Sequence, residues 1–133
     1  MTTDHGHFHW NELLTSDREA AKDFYSETLG WTYEAFAMSD GGDYAVCMMD
    51  GQPVGGMVEM KEETKISGVS DCWFPYIAVD DIDARLERVA EAEGSVERPA
   101  FDIPGVGRVA IVRDRVGCAI GWITPAVEDS PED

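Results

Sequence analysis

The 133-residue chain is poor in positive charge: ten lysines and arginines stand against 27 aspartates and glutamates, for a formal net charge of −17. Only three of these ten residues are lysines. A surface of this sign repels the phosphates of nucleic acids and the headgroups of anionic membranes. We therefore expect no nucleic-acid partner and no membrane partner.

Long apolar runs are also missing, and none approaches the roughly 20 residues that a helix needs to cross a bilayer. The first residues, MTTDHGHFHW, have neither the basic region nor the apolar region of a secretory signal. These two absences predict a cytoplasmic protein. The 44% of apolar residues suits a folded chain, and the length suits one domain rather than two.

Cysteine is scarce and unpatterned, with single residues at Cys47, Cys72 and Cys118. Their number is odd, and their wide spacing lacks the close pairs that are typical of a zinc site. Each lies in an apolar, strand-like stretch, where a reduced thiol behaves as a small hydrophobic residue. The sequence thus predicts reduced core thiols rather than disulfides or metal ligands.

A faint internal repeat organises the chain. Asp17 and Gly30 are separated by the same number of residues as Asp81 and Gly94. Aspartate is favoured at a helix N-cap, and glycine is favoured where a helix ends in the left-handed conformation. Apolar residues between these landmarks recur at helical spacing, more regularly in the first half. We therefore predict one helix in each half, each with an aspartate cap and a glycine cap.

Strand-like stretches flank both predicted helices. One precedes each helix, and three follow it, at about 31–38, 43–50 and 53–60 in the first half and at about 96–103, 107–114 and 117–124 in the second. Turns are marked by the glycines at 41–42 and by the Pro-Gly pair at 104–105. The order of elements is therefore strand, helix and three strands, written twice.

This order predicts an α+β fold with two tandem βαβββ modules in a single domain over residues 1–125. The first module covers residues 8–60 and the second covers residues 72–125. The acidic, proline-containing tail at 126–133 is predicted to be disordered, because it offers almost no apolar surface to bury.

Five segments carry a family pattern: NELLTSD, DFYSETLGW, QPVGGM, YIAVDDIDA and DIPGVGRVAIVRDRVGCAIGW. They resemble the glyoxalase, bleomycin-resistance and dioxygenase (vicinal-oxygen-chelate) superfamily, and most of all its hydroxylase-like, Cfp30B-like branch. The resemblance spans nearly the whole chain. It implies that the strongly curved sheets of the two modules form a barrel around a central cavity. It further implies a homodimer, since dimerisation often completes that cavity.

The chemistry of this superfamily depends on a divalent metal held at four positions, on the first and last strand of each module. The resemblance places these positions at Trp10, near Glu59, at Phe74 and at Gly121. Tryptophan, phenylalanine and glycine side chains cannot ligate a metal, so one carboxylate remains. A register shift of one residue would add His9 and nothing more. We therefore predict no metal, no cofactor and none of the metal-dependent activities.

Three histidines alternate near the start of the chain, at His5, His7 and His9. Alternate residues of an extended strand point to one side, which could suggest a metal site. All three come from a single terminal segment, however, whereas structural sites draw their ligands from several elements. We interpret the cluster as an adventitious metal binder at most.

Aromatic and thioether side chains predict a pocket for a small, flat or apolar molecule. The predicted ligand-binding residues are Trp10, Glu12, Met48, Met57, Glu59, Phe74, Tyr76 and Arg108. The alternative for the apolar members of this set is an ordinary sheet core. No catalytic residue is assigned.

Two carboxylates in this set have alternative interpretations. Glu12 shares a strand face with Trp10, and Arg108 is its predicted partner because a buried carboxylate is costly without one. Such a pair would either orient a polar ligand or close the barrel end as a structural ion pair. Glu59 would be either a general base whose pKa is raised by an apolar cavity or a solvated strand residue.

Three functions fit these observations. The first is a metal-free protein that binds a small organic molecule in the barrel cavity. The second is a small-molecule lyase, isomerase or dioxygenase of the same superfamily. The third is a non-catalytic interaction subunit that keeps the fold for association. All three rest on likeness of fold, which by itself does not determine function.

Overall fold

The structure, a computed structural model, describes residues 4–37, 43–61, 66, 68–103 and 106–126. Its elements follow the order β1 Phe8–Thr15, α1 Arg18–Leu29, β2 Thr32–Ala37, β3 Asp43–Met49, β4 Gln52–Glu59, β5 Cys72–Ala78, α2 Ile82–Leu86, β6 Ser95–Ile103, β7 Gly107–Arg113 and β8 Ala119–Pro125. The predicted sequence of two βαβββ modules is therefore confirmed. Within the described ranges, neither helix has the length and apolar character needed to span a membrane.

The chain forms two compact units, Trp10–Phe74 and Met1–His9 with Pro75–Asp133. The start of the chain thus belongs with the second module. The reason is a pair of backbone hydrogen bonds, in which Gly6 N donates to Ala78 O at 2.7 Å and Ala78 N donates to His7 O at 2.8 Å. The predicted turns at 41–42 and 104–105 and the tail at 127–133 lie outside the described residues.

The first unit orders its strands β2-β3-β4-β1, with β1 parallel to β4 and the other pairs antiparallel. Helix α1 covers one face of these strands. The core on that face contains Leu13, Ala45, Cys47 and Met57, against which Ala21 and Tyr25 of α1 pack. Burial raises the pKa of the Cys47 thiol to about 11. Cys47 is thus the core residue that the sequence predicts, whereas Cys72 is half-buried and Cys118 is exposed, so the core prediction was wrong for Cys118.

Helix α1 begins and ends as its sequence predicts. Asp17 caps its N-terminus, because the Oδ1 atom accepts a hydrogen bond from Ala20 N at 3.1 Å. Gly30 ends the helix in the left-handed conformation, with φ of 82°, and its N–H donates to Ser26 O. Both predicted caps are therefore confirmed in the first module.

The second unit orders its strands β5-β8-β7-β6, with β5 parallel to β8 and the other pairs antiparallel. Val79, Ile82 and Ala110 form the core under α2, with Leu86 and Trp122 packed against them. Each module therefore has one helix on one face of its strands, and a parallel pairing joins its first strand to its last.

Helix α2 is shorter than predicted and ends at Leu86, where turns take over. Val89 N donates to Leu86 O, three residues back, instead of continuing the α-helical pattern. The left-handed residue is Glu93, with φ of 70°, and not Gly94. Gly94 serves a different purpose, since a Cβ there would collide with Arg113 O. The glycine-cap prediction for the second module was therefore wrong.

Asp80 joins the start of the chain to the second module. Its two carboxylate oxygens accept hydrogen bonds from Arg85 at 2.9 and 2.8 Å, and its N–H donates to His5 Nδ1 at 2.9 Å. The Arg85 guanidinium lowers the pKa of Asp80 from its ordinary value of 3.8 to about 2. The charged form of this carboxylate is thus favoured by the folded state.

This pKa shift predicts how stability changes with acid. A carboxylate with a lowered folded pKa stabilises the fold above its unfolded pKa and loses that contribution as the pH falls through its folded pKa. For Asp80 the loss falls between pH 3.8 and about 2. The difference in thermal midpoint between parent and Asp80→Asn should therefore shrink over this range. Exposed Glu91→Gln serves as the control, and a difference that stays constant with pH would contradict the assignment.

Candidate functional site

The strands of the first unit have one face that α1 does not cover. Register pairs Glu12 with Gly56 and Leu13 with Met57. Because side chains alternate along a strand, Leu13 and Met57 face α1, whereas Glu12 and Gly56 face the other way. We call this second surface the helix-free face and define it by Trp10, Glu12, Tyr44, Met48 and Val58.

A hydrogen bond links two of its aromatic side chains. Trp10 Nε1 donates to Tyr44 Oη at 2.9 Å, and since an indole N–H can only donate, the phenol oxygen is the acceptor. The end of the Tyr44 ring lies directly over Gly56, where an added Cβ would collide with the ring and its hydroxyl. Gly56 is therefore required for this close approach.

The second unit repeats the arrangement of a tyrosine over a glycine. Register pairs Tyr76 with Gly121 in the parallel β5–β8 ladder. An added Cβ at Gly121 would collide with the base and edge of the Tyr76 ring. Because Glu12 pairs with Gly56 in the same kind of ladder, Gly56 and Gly121 occupy matching positions on the last strands of their modules.

The family model of the Glyoxalase/Bleomycin resistance protein/Dioxygenase superfamily matches residues 6–121. The chain belongs to this superfamily. The match confirms the resemblance seen in the sequence and covers both modules.

Relatives support the same membership. CFP32 of Mycobacterium tuberculosis, which carries the name glyoxylase, is 37% identical over 113 residues, covering 84% of this chain and 43% of that protein. The anthracycline biosynthesis protein DnrV of Streptomyces peucetius is 31% identical, covering 92% of this chain and 48% of that protein. The chain thus spans less than half the length of these relatives.

Solved structures show the same fold. Methylmalonyl-CoA epimerase from Mycobacterium tuberculosis aligns with a TM-score of 0.63 at 15% identity, over 96% of this chain and 94% of that chain. A Streptomyces coelicolor methylmalonyl-CoA epimerase in complex with 2-nitronate-propionyl-CoA aligns with a TM-score of 0.66 at 15% identity, over 92% and 99%. The predicted α+β fold of this superfamily is therefore confirmed.

The residues at the metal positions of this superfamily do not fit a metal. By register, the residue of β4 that matches Gly121 on β8 is Gly56 rather than Glu59. The matching first-strand positions are Trp10 and Phe74. None of these four residues has a side chain that can ligate a metal. Across the described ranges no group of three or more His, Cys, Asp or Glu could hold an ion.

The structure separates the predicted ligand-binding residues of the first unit. Met48 lies on the helix-free face with Trp10 and Glu12. Met57 is fully buried in the core beneath α1, so for this residue the sheet-core alternative holds. Glu59 is exposed at the last position of β4, on the face that Met57 shares, and it is not an inward-facing base.

Phe74 and Tyr76 have different environments. Phe74 is 3% exposed and forms part of the buried core, as its sheet-core alternative requires. Tyr76 is half-buried and lies against Gly121. A tyrosine in this position keeps a polar hydroxyl at the end of an otherwise apolar contact.

Arg108 forms ion pairs within the second unit. Its Nε and Nη2 atoms donate to Asp83 at 2.9 and 3.1 Å, and its Nη1 atom donates to Asp102 at 3.3 Å. The two aspartates hold the pKa of Arg108 above its ordinary value. These partners replace the predicted pairing with Glu12, because Asp102 lies directly opposite Arg108 in the β6–β7 register.

Sequence reasoning missed Tyr44. The residue lies in the predicted third strand, but its importance comes from the contact with Gly56 on the next strand. Gly55 and Gly56 are both buried inside β4, and the β3–β4 register shifts beside Gly55, between Cys47 and Met48. A glycine within a strand can mark the close approach of another group. Gly56 was therefore the feature of the sequence that could have indicated the contact with Tyr44.

The tyrosine–glycine contacts predict different costs for two alanine substitutions. Gly121→Ala should destabilise the protein by about 1–3 kcal/mol, because the new Cβ displaces the base of a packed ring. Gly56→Ala should cost less, since only the outer end of Tyr44 must move. Denaturant unfolding measures both free energies.

A double-mutant cycle identifies the cause of the larger cost. In the Tyr76→Ala background, Gly121→Ala should lose most of its effect on the free energy of unfolding. Purely additive effects of the two substitutions would show that the Tyr76 ring is not what the glycine accommodates.

Proposed function

We propose that the protein binds a small, flat organic molecule on the helix-free face of its first unit without using a metal. The observation that supports this proposal most is the hydrogen-bonded pair of Trp10 and Tyr44 over Gly56. The pair combines two aromatic rings with a phenol hydroxyl. Trp10 occupies the first-strand position to which the family resemblance assigns a metal ligand.

The surrounding side chains suit such a ligand. Trp10 and Tyr44 are half-buried, so each ring keeps part of its surface accessible. Met48 adds a polarisable thioether on the same face, and thioethers pack well against aromatic rings. Glu12 adds a half-buried carboxylate that can accept a hydrogen bond from a ligand hydroxyl or amine. Pockets for small organic molecules combine apolar walls with a few polar groups in this way.

The names of relatives agree with a small organic ligand. CFP32 carries the name glyoxylase, and DnrV is named for anthracycline biosynthesis. Both names concern the chemistry of small organic compounds. The chain covers less than half the length of each of these proteins.

A metal-independent isomerase or lyase is a second candidate function. Glu12 favours it, because this carboxylate lies opposite Gly56 on the same face as the Tyr44 hydroxyl. A carboxylate and a phenol on one face could move a proton from and to a small carbonyl compound. A turnover assay with Glu12→Gln against the parent separates this candidate from binding alone.

Binding can be tested with flat aromatic ketones and quinones, titrated in a chelating buffer. The compound that raises the thermal midpoint most is then measured by isothermal titration calorimetry. Tyr44→Phe should weaken its binding by about twofold to tenfold, since a net hydrogen bond contributes about 0.5–1.5 kcal/mol. Trp10→Phe should weaken it as well, because the smaller ring covers less apolar surface and no longer donates to Tyr44.

A matched control is provided by Tyr33→Phe. The Tyr33 hydroxyl donates to Lys22 O at 3.0 Å, on the side of the strands that α1 covers. Removing this hydroxyl should leave the dissociation constant unchanged. Equal effects of the two tyrosine variants, or binding that is seen only in buffer without the chelator, would contradict the proposal.

A further inference from the structure

The second unit has a groove that no motif in the sequence indicated. It has a volume of about 520 Å³ and lies between the turns at 87–93 and the strands β7 and β8. The groove exists because α2 ends at Leu86, whereas α1 continues for 12 residues over its own strands. Its volume falls within the range of roughly 300–1,000 Å³ that is common for ligand sites.

The floor of the groove is apolar. Val89 contributes from the turns, Val112 from β7, and Ile120 and Trp122 from β8. Val112 and Ile120 are register partners, so their side chains lie side by side on the face that carries Trp122. Val89 and Val112 are already buried, whereas Ile120 and Trp122 are half-buried. An apolar body of one or two rings could cover the exposed part of Ile120 and Trp122.

Arginines surround this floor. Arg85, Arg88, Arg113 and Arg115 all line the groove, and they are four of the seven arginines in the chain. These four arginines are clustered although the chain has a formal net charge of −17. Arginine also stacks on flat rings and binds carboxylates, sulfonates and phosphates with a planar fork of donors.

Three of these arginines are held in position by ion pairs outside the groove lining. Arg113 Nε lies 2.9 Å from Glu97 Oε1, and Arg115 Nε lies 3.2 Å from Glu93 Oε1. Arg85 has its two hydrogen bonds to Asp80. Arg88 differs, because its guanidinium has no acceptor anywhere in the described ranges. The N–H groups of the Arg88 guanidinium are therefore available to an anion in the groove.

Asp114, which also lines the groove, is hydrogen-bonded to backbone N–H groups of its own turn. Asp114 Oδ1 accepts hydrogen bonds from the N–H groups of Val116, Gly117 and Cys118, each at 3.0 Å. These amides lower the pKa of Asp114, and their dipoles offset part of its negative charge within its own turn. Asp114 therefore opposes an anion in the groove less than a free carboxylate would.

We propose that this groove binds a small organic anion whose apolar body lies on the Val112, Ile120 and Trp122 floor and whose acidic group meets Arg88. The ligand class is an aromatic or aliphatic carboxylate, sulfonate or phosphate. The groove belongs to the second unit alone and does not depend on the proposed function of the first.

Two fluorescent probes test the proposal. Anilinonaphthalene sulfonate is an apolar anion, and phenylnaphthylamine has the same rings without the charge. The parent should bind the anion more tightly than the neutral probe. Arg88→Gln should weaken binding of the anion by about fivefold, as expected for an exposed charge pair, and should leave binding of the neutral probe unchanged.

Two further variants locate the binding. Ala92 lines the groove and is exposed, so Ala92→Phe should obstruct the floor and weaken both probes. Lys22→Gln removes a positive charge from the first unit and should change neither. Near-ultraviolet circular dichroism verifies that each variant is folded. Equal binding of the two probes, or unchanged binding of the anion in Arg88→Gln or Ala92→Phe, would overturn the proposal.

Discussion

The parallel pairing of the first strand with the last strand in each module is the constraint on which the rest depends. In the first unit it sets Glu12 opposite Gly56, and in the second it sets Tyr76 opposite Gly121. Side chains alternate along a strand, so a single register decides which residues pack under the helix and which face away from it. A slip of one residue would bring Met57 out of the core and put Gly56 in its place.

This register also sets which residues occupy the strand positions to which the family resemblance assigns metal ligands. Both last-strand positions that would carry a metal ligand are glycines, and a tyrosine ring lies over each. At each position the tyrosine ring fills the space that a Cβ would otherwise occupy. What remains on the helix-free face is an aromatic and phenolic surface linked by the Trp10–Tyr44 hydrogen bond.

Much of the fold could be predicted from the sequence, because its signals are local. Helix α1 follows from its caps and its regular apolar stripe, whereas α2 has a looser stripe and ends early, with Gly94 accommodating Arg113 instead of capping. The site was harder to predict. Counting along one strand placed a metal position near Glu59, three residues from Gly56. Tyr44 could not be identified at all, since its role depends on a contact between strands.

We expect the protein to bind no divalent metal, because Trp10, Gly56, Phe74 and Gly121 carry no side chain that ligates one. Metal content measured by plasma mass spectrometry, after incubation with manganese, iron, cobalt, nickel and zinc, tests it most directly. The protein should carry His5→Ala and His7→Ala, so that the terminal histidines do not contribute. We expect less than about a tenth of an equivalent per chain, because these four positions offer no set of ligands. Near-stoichiometric metal in this variant would contradict it and would make a metal-dependent enzyme the leading interpretation.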